Sequence, residues 1–114
     1  MKNLISASFA VALSTGIAAA HSDAMTTMPA DGDTVRTAPE HVMFTFDDQI
    51  RLTRIEMTHG DTPAADLDLS DQQSFGTEFS VPVTDMGPGT YLIEWRGLGI
   101  DGHPVVGSFT FNVE

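Results

Sequence analysis

The chain has 114 residues, room for one domain, and carries 16 acidic against 5 Lys and Arg side chains, a formal net charge of −11. This charge repels polyanions, so it argues against binding to nucleic acid or to an anionic membrane surface. The sequence contains no Cys, which excludes disulfides, thiolate-bound metals and a cysteine nucleophile. With 41% hydrophobic residues, 10 Gly and 6 Pro, the composition is that of a folded domain with many turns.

Residues 1–20 have the three parts of a secretory signal peptide. A short start with one Lys precedes an uncharged, mostly apolar stretch at 4–17, and small residues at 18–20 offer a cleavage site. The apolar stretch is too short to cross a bilayer as a permanent helix. We therefore expect a signal peptide at 1–20, cleaved to leave a soluble, exported domain at 21–114.

Several later segments alternate apolar and polar residues with a period of two, as half-buried strands do. These segments are 41–46, 50–57, 77–83, 90–96 and 105–113. The second one changes phase after Leu52, which predicts a β-bulge near Thr53-Arg54 or a break into two short strands. Pro82 cannot donate a backbone hydrogen bond, so it predicts an edge strand or a bulge. The alternation places Tyr91 and Trp95 on the core side of their strand.

Turns rich in Gly, Asp and Pro separate these segments, and no window has a sustained helical period. The turns are predicted at 31–32, 60–61, 87–89 and 101–102, and the longest stretch without a pattern is 59–74. Short strands joined by such turns predict an all-β fold, a small antiparallel sandwich or barrel.

His21 would become the N-terminus after cleavage, and that position has a specific chemistry. Its α-amine and its imidazole Nδ1 can close a chelate ring on a metal ion, and the amine loses its proton readily near neutral pH. The alternative is that cleavage simply leaves a histidine at an unstructured terminus.

A second candidate lies in Asp101-Gly102-His103-Pro104. In an extended segment, Asp101 and His103 would point to the same side and could both face one ion. The alternative is an ordinary Asp-Gly turn. Together with His21, the pair would supply an amine, two imidazoles and a carboxylate, the nitrogen and oxygen set that Cu(II) prefers. Zinc could also bind there, whereas calcium and magnesium prefer sites made of oxygen alone.

The remaining histidines and methionines are weaker candidates. We expect His41 at the surface and His59 in a turn. The methionines beyond residue 20 are scattered, so packing is their expected role, and a Cu(I) site made from them is the less favoured interpretation. They are Met25, Met28, Met43, Met57 and Met86.

Motifs spread over the exported part of the chain occur together in one known family. Residues 38–46 read APEHVMFTF, residues 89–96 read GTYLIEWR, and residues 101–111 join DGHP to GSFTF. With a histidine directly after the cleavage site, this combination resembles the periplasmic copper-binding protein CopC and its relatives. The resemblance implies a Greek-key β-sandwich or barrel of immunoglobulin type and a periplasmic location.

The resemblance also implies the site and its use. One Cu(II) per chain would be bound by the amine and imidazole of His21 together with Asp101 and His103. A carboxylate near this site in the family corresponds to Asp48, for which the neighbouring Asp47 could substitute. The implied role is copper storage, delivery or tolerance without catalysis. The partners would be the copper ion and a separate membrane copper permease, and the small acidic domain favours a monomer.

Two departures from the family change the expectations. Some members bind Cu(I) in a methionine-rich loop, but residues 58–74 contain no Met, which predicts a protein for Cu(II) only. The run at 97–100, GLGI, replaces a more β-branched or polar segment and predicts a looser strand before the ligands.

Two other functions remain open from the sequence. One is a copper oxygenase with a terminal histidine brace, which the core positions of Tyr91 and Trp95 disfavour because such enzymes need an exposed substrate face. The other is a metal-free β-sandwich interaction module, for which a copper titration would stay flat.

Overall fold

The computed structural model describes residues 24–114, and every secondary-structure element in that range is a β-strand. The strands are β1 Ala24–Met28, β2 Asp33–Val35, β3 His41–His59, β4 Ala65–Asp66, β5 Gly76–Pro82, β6 Gly89–Gly99 and β7 Pro104–Val113. Across residues 24–114 there is no helix long and apolar enough to cross a membrane. The prediction of an all-β fold is confirmed.

The fold has two halves, and the long strand β3, with 19 residues, takes part in both. Its first half pairs with β1 and β5, and its second half pairs with β6 and β4. On its other side, strand β6 pairs with β7. The end of β7 pairs with β2 in parallel, whereas the other described pairs are antiparallel. Residues 47–49 lie where β3 passes from one half to the other, because its pairing with β5 jumps from Thr45 to Ile50. The sheet therefore curls into a sandwich whose two halves share strand β3.

Aromatic side chains from both halves meet in the core. The ring of Phe44 in β3 lies 5.6 Å from that of Phe109 in β7, edge to face, and Phe46 lies 5.1 Å from Trp95 in β6. Tyr91 and Trp95 are both buried, as their alternation predicts. Burying each such side chain contributes about 1.5–3 kcal/mol, so this contact between halves is a main source of stability.

The predicted β-bulge is present in the second half of β3. Leu52 pairs with Gly97 and Arg54 with Arg96, so Thr53 is the extra residue. Its Oγ1 donates a hydrogen bond to the carbonyl oxygen of Arg96 at 3.3 Å. The bulge explains the phase change in the sequence, since it returns the apolar residues after it to the core side.

Other predictions about the strands are confirmed or corrected individually. Among the strands of residues 24–114, β5 pairs with β3 alone, which confirms the edge position predicted from Pro82. His59 is the last residue of β3 and pairs with Tyr91, and its carbonyl oxygen accepts the N–H of Thr62 at 3.0 Å, so it also opens the turn predicted there. Residues 41–46 and 50–57 form one continuous strand rather than two. Strands β1, β2 and β4 were not predicted, since they have five residues or fewer and lack regular alternation.

Candidate metal site at the β6–β7 hairpin

The hairpin between β6 and β7 carries the two candidate ligands in a tight turn. Gly99 donates its N–H to the carbonyl oxygen of His103 at 2.8 Å, and Gly102 donates to that of Gly99 at 2.9 Å. Gly102 has a φ of 87°, the left-handed conformation that glycine adopts without strain. This is a three-residue hairpin loop with a bulge at its glycine. The extended segment considered from the sequence is therefore wrong, because the chain turns at Asp101-Gly102.

The turn nevertheless brings Asp101 and His103 together. The imidazole Nδ1 of His103 lies 2.8 Å from Oδ2 of Asp101. The other carboxylate oxygen, Oδ1, accepts the backbone N–H of His103 at 3.0 Å. Both side chains are largely exposed, Asp101 at 65% and His103 at 81%. A carboxylate and an imidazole are thus held side by side at the surface, where an ion can reach them.

Each member of this pair stabilises the charged form of the other. The hydrogen bond from the His103 side chain, followed by the bond from its backbone N–H, lowers the pKa of Asp101. The hydrogen bond to Asp101 and the attraction of its charge raise the pKa of His103. When Nδ1–H donates to the carboxylate, the neutral imidazole keeps its free lone pair on Nε2, which can bind a metal.

Two glycines in β6 allow the backbone and the carboxylate to approach closely. A Cβ at position 97 would lie 2.8 Å from the carbonyl oxygen of Arg51, and one at position 99 would lie 2.9 Å from Oδ1 of Asp101. Both residues remain paired with β3, and Gly97 also pairs with β7. The strand is thus paired up to Gly99, and the expectation that this run loosens it stays a prediction. The role of Gly99 was not predicted from the sequence, although its position two residues before the candidate ligand Asp101 could have indicated it.

Asp48 lies in the bend of β3 at the same end of the fold. Ile50 pairs with Gly99, and Asp48 and Asp101 each lie two residues beyond one member of that pair. Asp48 is exposed, as is its neighbour Asp47. Within residues 24–114, however, no three His, Asp or Glu side chains form a group suited to a metal ion. The structure therefore joins Asp101 and His103 but does not add Asp48 to them as a third ligand.

His21, the first predicted ligand, lies outside the described residues. The described chain begins at Ala24, which pairs with Phe46 in β3. The prediction of a chelate at His21 thus stays a prediction.

Comparison with known proteins assigns the chain to a family. The CopC domain matches residues 24–114. The chain belongs to the CopC family. Protein YobA of Escherichia coli (strain K12) is 27% identical over 103 residues, which cover 83% of this chain and 80% of that protein. Copper resistance protein C of Escherichia coli is 24% identical over 107 residues, which cover 85% and 84%.

Solved structures of CopC-like proteins have the same fold as this CopC-family chain. CopC from Methylosinus trichosporium OB3b matches with a TM-score of 0.65 and 21% identity, over 79% of this chain and 90% of that one. PcoC, a methionine-rich copper resistance protein from Escherichia coli, matches with a TM-score of 0.56 and 22% identity, over 81% and 97%. These likenesses confirm the β-sandwich fold.

Proposed function

We propose that this CopC-family protein is exported to the periplasm, where it binds one Cu(II) ion for copper storage, delivery or tolerance. Family membership and the likeness to copper resistance protein C support a copper-related function. The observation that carries the proposal is the Asp101–His103 pair, exposed and held by the hairpin with 2.8 Å between Oδ2 and Nδ1. The ion is the protein's cargo, and the role requires no reaction on a substrate.

The donor atoms fit Cu(II). His103 supplies an imidazole nitrogen and Asp101 a carboxylate oxygen, and the amine and imidazole of His21 would complete a set of nitrogen and oxygen ligands. Cu(II) binds such sets in square-planar or tetragonal geometry and more tightly than the other divalent first-row metals. Two side chains alone make an incomplete site, so the proposal requires a ligand from the N-terminus.

The position of β1 supports that contribution. Ala24 pairs with Phe46, just before the bend of β3, and Ile50, just after the bend, pairs with Gly99. His21 lies only three positions before Ala24. Such a segment can span up to about 10 Å, which is comparable to the width of two strands in a sheet. A cleaved N-terminus at His21 could therefore reach the hairpin. In this arrangement Asp48, in the bend, would support the ligands rather than bind the ion.

The charge of the protein supports a soluble carrier. The formal net charge of −11 attracts a dication and disfavours self-association, so we propose a monomer that exchanges copper with a separate membrane permease. The signal peptide at 1–20 and the mature domain at 21–114 are parts of this proposal.

A copper oxygenase needs an exposed face for its substrate, and the two aromatic residues considered for such a face, Tyr91 and Trp95, do not provide it. Tyr91 is fully buried and Trp95 is 3% exposed. We therefore expect no oxidised products when the copper-loaded protein is incubated with a polysaccharide and ascorbate or hydrogen peroxide.

The test is a Cu(II) titration of the processed protein, followed by paramagnetic resonance, with the variants Asp101→Ala and His103→Ala. Each variant removes an exposed ligand without touching the core, so each should bind Cu(II) about tenfold more weakly or worse. Asp61→Ala, an exposed Asp in another turn, is the matched control and should bind normally. If both ligand variants bind Cu(II) like the wild type, the proposed site is wrong. If the wild type also shows no binding, the metal-free interaction module is the better account.

A further inference from the structure

Two exposed methionines face each other on the outer side of the β1–β3–β5 half. Met28 in β1 pairs directly with Met43 in β3. Side chains opposite each other in an antiparallel pair share a face, with Cβ atoms about 4.5–5.5 Å apart. Met28 is 67% exposed and Met43 is 49% exposed, whereas Met57 is buried in the core. The two side chains therefore extend from adjacent points of the surface, so both thioethers can reach one ion, and the expected role of packing does not account for them.

An imidazole lies on the same face. His41 precedes Met43 by two residues in β3 and is exposed, while Val42 between them points into the core. Residues two apart in a strand lie about 6.5–7 Å from each other, so the imidazole and the Met43 thioether can both reach an ion between them. We call Met28, His41 and Met43 the methionine face.

We propose that the methionine face binds one soft monovalent metal ion, of which Cu(I) is the biological candidate. Two thioethers and an imidazole are soft donors that suit such an ion, and hard divalent ions prefer oxygen. Glu78 is exposed and pairs with Thr45, which lies two residues after Met43 on the same face, so it adds negative charge that favours a cation. Binding is coordination alone, with no transfer of electrons.

This site is independent of the Asp101–His103 pair. It shares no residue with that pair, and Met43 lies five residues before Asp48 along β3, about 16 Å of extended chain. A Cu(I) site at the methionine face would also replace the expectation that the protein binds Cu(II) only. The lack of Met at 58–74 concerns one loop, whereas the methionine face is built by pairing two strands.

A second group of methionines provides an internal comparison. Met57, Met86 and His59 line a cavity of about 110 Å³ near the other end of β3. There Met57 is 5% exposed, and Nε2 of His59 lies 2.8 Å from the carbonyl oxygen of Pro88. The thioether of Met57 and the imidazole of His59 are thus less available to a metal ion than those of the methionine face.

The test is a titration of the processed protein with Ag(I), a soft ion that does not change oxidation state under these conditions. The methyl resonances of all methionines are followed by NMR with carbon-13 labelling at methionine. We expect the Met28 and Met43 signals to shift together and to saturate at one equivalent, with the His41 ring signals moving in the same titration. Met28→Leu and Met43→Leu keep the size of an exposed side chain and should weaken Ag(I) binding about tenfold or more. Met86→Leu, also exposed, is the matched control and should bind normally.

Several results would overturn the proposal. These are shifts confined to Met57 and Met86, equal shifts at every exposed methionine, or no saturable binding. Two cross-checks separate this proposal from the Cu(II) site. Met28→Leu should bind Cu(II) normally, and the Asp101→Ala, His103→Ala double variant should still bind Ag(I) at the methionine face. Loss of Ag(I) binding in that double variant would show that the two sites are not independent.

Discussion

The α-carbon of Gly99 lies directly beside the carboxylate of Asp101, and a Cβ added there would come within 2.9 Å of Oδ1. That oxygen is the one that accepts the backbone N–H of His103. A bare α-carbon in the last position of β6 thus leaves the space in which Asp101 folds back toward the imidazole.

Gly99→Ala should therefore damage the site more than the fold. The new methyl meets the end of a flexible side chain, which can move away at little cost, so we expect a change in unfolding free energy within about 0.5 kcal/mol. Displacement of Asp101 should weaken Cu(II) binding and reduce the upward shift in the pKa of His103. Both quantities can be followed, by copper titration and by NMR of the imidazole.

Gly97→Ala is the matched control for this substitution. Its Cβ would lie 2.8 Å from the carbonyl oxygen of Arg51, a backbone atom that cannot move without disturbing the β3–β6 pairing. We expect destabilisation of about 1–3 kcal/mol by chemical denaturation. If Gly99→Ala destabilises the protein as much as Gly97→Ala and leaves the pKa of His103 unchanged, the role given to Gly99 is wrong.

The Asp101–His103 pair predicts a pH dependence of the metal-free protein. Since the pKa of His103 is raised in the fold, its contribution to stability is complete below the ordinary histidine pKa and is lost as pH rises through the raised value. The pKa of Asp101 is lowered, so its contribution is complete above the ordinary aspartate pKa and is lost as pH falls through the lowered value. The charged pair is therefore fully formed between about pH 4 and 6.5.

Asp101→Asn removes the charge and should return the pKa of His103 toward its ordinary value. An NMR titration of the His103 ring, in the wild type and in the variant, measures this directly. An unchanged His103 titration in the variant would contradict the hydrogen bond between the two side chains.

Copper affinity should fall as pH falls. The terminal amine and both imidazoles must lose their protons to bind Cu(II), and the raised pKa of His103 makes proton competition begin at a higher pH than for an ordinary histidine. Competition with a chelator of known affinity, at neutral and mildly acidic pH, measures this effect. A constant affinity over that range would be evidence against nitrogen ligands.

Tyr91 allows stability to be changed without changing the proposed copper site. Its hydroxyl donates to the carbonyl oxygen of Gly87 at 2.7 Å and accepts the N–H of Met86 at 2.8 Å, so it holds the turn before β6. Tyr91→Phe should lower the free energy of unfolding by about 1–2 kcal/mol, because both partners lose a hydrogen bond. Cu(II) binding should be retained, since Gly99 and the ligands lie at the other end of β6. Denaturant unfolding and copper titration of one preparation test both statements.

Much of the fold could be predicted from alternation alone. The segments at 77–83, 90–96 and 105–113 contain strong apolar residues on one face, and the bulge at Thr53 appears as a change of phase. Strands β1, β2 and β4 could not be predicted in this way, because their pairing depends on the edges that longer strands offer. The continuity of β3 through 47–49 was missed, since exposed polar residues at a bend resemble a turn in the sequence.

The site could be predicted only in part. Asp101 and His103 were identified from their spacing, but the turn that joins them depends on backbone hydrogen bonds at Gly99 and Gly102 that no motif specifies. The pairing of Met28 with Met43 depends on the register of β1 against β3. In the sequence these methionines are 15 positions apart, so they appear unrelated.

The central claim, a copper chelate at a cleaved N-terminus, is tested most directly by changing that terminus alone. The full chain is expressed with its leader, and mass spectrometry establishes whether processing leaves His21 first. A second protein carries one additional residue ahead of His21, which separates the α-amine from the imidazole and leaves every side chain of residues 21–114 in place. Both proteins are titrated with Cu(II) and followed by paramagnetic resonance.

We predict that the protein beginning with His21 binds one Cu(II) with a nitrogen-rich, tetragonal spectrum. The extended protein should bind far more weakly, because the chelate ring can no longer close. Equal binding by the two proteins, or processing at another position, would contradict the claim that His21 provides the site.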